Sequence, residues 1–141
     1  MKRTYLILSI LLFITTSVHA QQNTIIGTWQ LDLTESIALM DNNTRQKFDG
    51  LDQSVKARIE TSMSDRTFIV ASNGDLTVHW KAQDSPRTSS GTWQTSGETL
   101  TITLDGDAQQ YSYELITGNH LILRNTIPSG LFSNLYLTLQ P

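Results

Sequence analysis

The chain has 141 residues, of which 38% are hydrophobic and 16% charged, with no cysteine and a formal net charge of −3. That length suits one domain with a single core. The lack of cysteine excludes a disulfide scaffold and thiol chemistry, and an acidic balance without a basic stripe argues against nucleic acid as a partner.

In chain order, the first feature is an export signal. Lys2 and Arg3 precede an apolar run from Tyr5 to Ile14 that only Ser9 interrupts, and Val18-His19-Ala20 offers a cleavage point before Gln21. The apolar core is roughly half the ~20 residues a membrane span requires. Residues 1–20 are therefore expected to be removed, leaving residues 21–141 as a periplasmic or secreted domain without a membrane span. No cysteine stands at the cleavage point to take a lipid anchor. Loss of Lys2 and Arg3 leaves 8 basic residues against 13 acidic, a net charge of −5.

The first strand follows. Ile25, Gly27, Trp29, Leu31 and Leu33 alternate with Thr28, Gln30 and Asp32, the period of a half-buried strand. The pattern then changes. Residues 35–64 contain no proline, and Phe48, Leu51, Val55, Ile59 and Met63 recur three or four apart, which places them on one helical stripe. Asn43 or Thr44 is the expected N-cap. Gly50 marks a break into two helices, with Ile37, Leu39 and Met40 on the first. Arg45, Lys47, Asp52, Lys56, Arg58 and Glu60 form a solvated face.

Alternation returns after Asp65. Phe68 and Val70 share a strand face, and Asn73-Gly74-Asp75 is a hairpin signal. Leu76, Val78 and Trp80 come next, opposite Thr77, His79 and Lys81. A loop is expected over residues 83–87, then a strand with Gly91 and Trp93. After Ser96-Gly97 come Leu100, Ile102 and Leu104. The Asp105-Gly106-Asp107 turn leads to Tyr111, Tyr113 and Leu115. Gly118-Asn119 precedes Leu121 and Leu123, and Ile127-Pro128-Ser129-Gly130 precedes Leu135, Leu137 and Leu139. Consecutive hairpins with one apolar face imply an up-and-down antiparallel sheet, and closure removes its edges. The expected fold is all-β, an eight-stranded barrel with helices between strands 1 and 2.

Gly27-Thr28-Trp29-Gln30 resembles the Gly-x-Trp opening of the first lipocalin strand, and Gly91-Thr92-Trp93-Gln94 repeats it residue for residue. With the early helical segment and the Asn-Gly and Asp-Gly hairpins, the chain resembles small exported bacterial lipocalin-like domain proteins over essentially its whole mature length. The resemblance implies a lipocalin-type barrel in which Trp29 plugs the closed end. It also implies an arginine packed on that tryptophan, for which Arg124 is the nearest candidate.

The large aromatics on inner faces, Trp29, Phe68, Trp80, Trp93, Tyr111 and Tyr113, either fill the barrel or line a site for a small ligand. His79 points outward and His120 lies in a turn, so no metal site is expected, and Asp105 and Asp107 belong to a plain hairpin. There is no Gly-x-Ser-x-Gly elbow and no cofactor motif. The chemistry points to binding of a small apolar or amphipathic molecule and not to catalysis. The alternative is a scaffold for a protein partner, presented on the helical segment through Ile37, Leu39 and Met40.

Overall fold

A computed structural model describes residues 24–141; the expected export signal lies outside the described residues. Eight strands run β1 (Gly27–Leu31), β2 (Thr67–Val70), β3 (Asp75–Ala82), β4 (Ser85–Ser96), β5 (Thr99–Leu104), β6 (Asp107–Ile116), β7 (His120–Asn125) and β8 (Asn134–Leu139). Each pairs antiparallel with the next, and β8 returns to β1, so the sheet closes in the expected up-and-down barrel. Three helices stand between β1 and β2: α1 (Leu33–Ala38), α2 (Asn42–Asp49) and α3 (Gln53–Ser64).

The helical segment breaks twice, where one break was expected. Gly50 does end α2, but a second interruption falls at Asp41. The Asp41 carboxylate accepts from the Thr44 backbone N–H at 2.9 Å and the Thr44 hydroxyl at 2.7 Å, so Asp41 takes the cap expected of Asn43 or Thr44. Asp32 caps α1 in the same way, through the Glu35 N–H at 3.0 Å. Ser36 of α1, with no exposed surface, fastens this helix to the barrel by accepting from the Tyr136 N–H at 2.9 Å.

The expected loop at residues 83–87 is a tight hairpin instead, and Pro86 pairs with Lys81 inside the β3–β4 ladder. Proline is tolerated because β5 pairs with β4 only from Gly91 onward. That stretch of β4 has a free side, where a missing N–H costs nothing. Farther along, β4 passes very close to β5: a Cβ at Gly91 would stand 1.8 Å from the Thr103 carbonyl oxygen. Only glycine fits this crossing.

Inward residues form the core expected from the period-two pattern. Trp29, Leu76, Leu100, Leu121, Leu123 and Leu137 have at most 2% of their surface exposed. Removing each from water contributes about 1.5–3 kcal/mol, gross of chain entropy. They fill the barrel's middle and separate two ends. The helix end holds the three helices, the β3–β4 and β5–β6 hairpins and the β7–β8 loop. The turn end holds residues 24–26 and the β2–β3, β4–β5 and β6–β7 turns.

Candidate functional site

At the helix end, the packed interior opens into a cavity of about 370 Å³. Its walls come from β2 and β3 (Phe68, Val78), β5 and β6 (Ile102, Tyr111), the end of α3 (Met63) and the β7–β8 loop (Phe132). Arg66, which links α3 to β2, also faces it. Its backbone is held on both sides: its N–H donates to the Met63 carbonyl at 3.1 Å, and its carbonyl accepts from the Leu31 N–H at 2.9 Å. The Arg66 backbone is therefore fixed at the junction of α3 and β2.

Arg66 is the unusual group of this cavity. One Nη donates a long 3.4 Å hydrogen bond to Ser62, and the guanidinium lies 5.9 Å from the centre of the Trp80 ring. Its Nε is enclosed with no hydrogen-bond partner. The adjacent carboxylate, Asp65, is already engaged by Lys81 at 2.5 Å, so among the described residues no acid pairs with Arg66. Burial lowers the arginine's pKa, with Tyr111 opposing that effect in part. Burial likewise raises the Tyr111 phenol, and the nearby guanidinium lowers it. A guanidinium stays protonated in proteins, so at neutral pH the cavity holds a charged donor beside a neutral phenol. That pair suits holding an anion better than moving a proton.

Acidic groups stand farther out. Asp105 and Asp107 are exposed at the β5–β6 hairpin on the cavity mouth, and Asp105 accepts from the Ser89 hydroxyl at 2.7 Å. Tyr111 donates to Gln109 at 2.5 Å.

A second hollow lies at the turn end, bordered by Ile25, Trp93, Glu98 and Tyr113. Its polar aromatic groups are already committed to backbone. Trp93 donates to the Ala71 carbonyl at 2.8 Å, and Tyr113 to that of Gly97 at 3.2 Å. Trp29, next to it, donates to the Ile25 carbonyl at 2.7 Å, and Ile25 itself is buried.

The six aromatics singled out from the sequence thus do not share one place. Phe68 and Tyr111 line the helix-end cavity, Trp93 and Tyr113 the turn-end hollow. Trp29 belongs to the packed core, and Trp80 lies half-buried beside Arg66. Arg124 does not serve as the partner of Trp29: it stands on the outer surface in an ion pair with Glu114 at 3.2 Å. His79 is exposed as expected, but His120 opens β7, half-buried, with its ring 5.4 Å from that of Tyr136. Ile37, Leu39 and Met40 are each half-buried.

Arg66 was absent from the sequence candidates although a signal existed. Counting back by two from Val70 and Phe68 reaches Arg66, so the inner face of β2 continues into a charged residue. The same count from Tyr111 reaches Gln109 and Asp107, and from Trp93 through Gly91 it reaches Ser89. Polar residues in phase with an apolar face mark the site here.

The family model for the lipocalin-like domain matches residues 25–123. The chain belongs to that family. Among curated proteins none matches it. Lipocalin-like domains are in general binding proteins, and the closed barrel with an end cavity is consistent with a ligand-binding fold of this kind. No helix among the described residues is long and apolar enough to cross a membrane.

Proposed function

We propose that this lipocalin-like domain binds a small apolar or amphipathic molecule in the helix-end cavity. The observation that carries the reading is a cavity of about 370 Å³, within the usual range of small-molecule sites, that holds the unpartnered Nε of Arg66, whereas the turn-end hollow of about 570 Å³ has its indole and phenol groups spent on backbone carbonyls. Its lining sets apolar walls, Phe68, Val78, Ile102 and Met63, against polar groups that include Arg66, Gln109, Asn125 and Ser129, groups of the kind that fix a ligand's orientation. Phe68, Tyr111 and Phe132 are the aromatic contacts in this reading, and Trp93 and Tyr113 serve the turn end. We further propose that residues 1–20 direct export and are removed; the charged start, short apolar core and Val18-His19-Ala20 support it.

Native mass spectrometry of the protein recovered from its own host tests both points. A polypeptide mass beginning at Gln21 supports export and cleavage. A discrete added mass, released on denaturation, supports the bound small molecule. A clean polypeptide mass, together with no binding of an anilinonaphthalene sulfonate probe to the folded protein, overturns the ligand reading.

A further inference from the structure

The cavity contains a cation whose donors the protein leaves largely unused. A guanidinium carries five N–H donors in a planar fork. That of Arg66 spends one on a 3.4 Å contact to Ser62, and its enclosed Nε has no partner. An enclosed donor without a partner is costly, and such groups in native folds call for an explanation. The Arg66 backbone is anchored where α3 ends and β2 begins, by its hydrogen bonds to Met63 and Leu31, so the side chain starts from a fixed point beside the cavity. Nor is it balanced internally, since Lys81 holds the neighbouring Asp65.

Resting on the binding reading above, we propose that the ligand is an amphiphilic monocarboxylate. Its carboxylate sits on the Arg66 guanidinium, and its chain leaves between Met63 and Phe132 into the groove beside α3. A carboxylate matches the guanidinium fork with two parallel hydrogen bonds. Asp105 and Asp107 at the mouth argue for a singly charged head, because a dianion is repelled more strongly by both. The structure also offers an exit for the chain. Met63 and Phe132 line the cavity and, with Val55, Ile59 and Leu131, a groove between α3 and the β7–β8 loop that is mainly apolar and bordered by Arg58 and Ser62. Charge inside and an apolar path outward describe a molecule with one acidic end and one hydrocarbon end.

Calorimetric titration of the mature protein with decanoate, decanol, decyl phosphate and decyltrimethylammonium tests the assignment, repeated on Arg66→Met and Arg66→Lys. Wild type is expected to bind decanoate at least about tenfold tighter than decanol, the scale of one hydrogen bond to a charged group. Arg66→Met is expected to lose that preference while keeping its decanol affinity, and Arg66→Lys to retain part of it. Equal affinity of wild type for decanoate and decanol overturns the carboxylate assignment and leaves the binding reading standing. So does a preference that survives in Arg66→Met, or tighter binding of the phosphate or the ammonium compound. Binding of none of the four overturns both. Near-ultraviolet circular dichroism checks that each variant is folded; if Arg66→Met is not, the wild-type ratio of decanoate to decanol still decides.

Discussion

The two ends of the barrel carry similar ingredients and use them differently. Each has aromatic side chains, half-buried polar atoms and an opening. At the turn end every indole and phenol described is spent on a backbone carbonyl: Trp29 on Ile25, Trp93 on Ala71 and Tyr113 on Gly97. These groups hold the chain's own turns in place. At the helix end the strongest donor, Arg66, keeps its Nε unpartnered beside a cavity. The difference teaches that opening size is a poor guide to a site. A polar group that the fold has satisfied is structural, and one that the fold has enclosed but not satisfied is available to a ligand.

The comparison depends first on the layer that separates the ends. Trp29 is its largest member and is 1% exposed. Trp29→Ala is expected to cost about 3–5 kcal/mol of stability, read as a lower urea midpoint. A cost below about 1 kcal/mol would mean that the middle of the barrel is not the packed floor on which the contrast rests. A smaller effect is expected at the turn end. Trp93→Phe removes the hydrogen bond to Ala71 and is expected to cost about 1 kcal/mol while leaving decanoate affinity unchanged. A loss of affinity there would move the binding site to the other end.

The smallest effect is a pH dependence at the helix end. Burial lifts the Tyr111 phenol above its ordinary value of 10.0, with Arg66 partly opposing. Because the folded-state pKa is the higher one, the stability contributed by this phenol is fully present below pH 10. It is lost as pH rises through the folded-state value. Tyr111→Phe is therefore expected to flatten the alkaline limb of a stability–pH curve. Lys81, raised chiefly by its hydrogen bond to Asp65, loses its own contribution above its ordinary 10.5, so some alkaline slope remains in the variant. The difference in phenolate absorbance between wild type and Tyr111→Phe isolates this phenol, since lysine gives no such signal and Tyr113 and Tyr136 are common to both proteins.

Much of the architecture was legible in the residues. Strict alternation from Leu100 to Leu104 and from Tyr111 to Leu115, joined by Asp105-Gly106, leaves few choices beyond a hairpin, because a strand's side chains have a period of two. The repeated Gly-Thr-Trp-Gln was equally visible, but its two copies do unlike things. Trp29 is sealed in the core, whereas Trp93 is half-buried at the turn end. Identical local sequence cannot distinguish them, since burial depends on what the neighbouring strands bring opposite.

By itself, then, the sequence determined the strand faces, the turns and the place of the helical segment, all of which follow from spacing along one chain. It also held the clue to Arg66, in phase with Phe68 and Val70. Only the tertiary structure decided that Arg66, Tyr111 and Met63 surround one space, that Asp65 is taken by Lys81, and that Arg124 faces outward to Glu114. The two ion pairs form between neighbours in the sheet, Asp65 just before β2 with Lys81 of β3, and Glu114 of β6 with Arg124 of β7. Arg66, just before β2, and Tyr111 of β6 face one space only because the sheet curls round on itself.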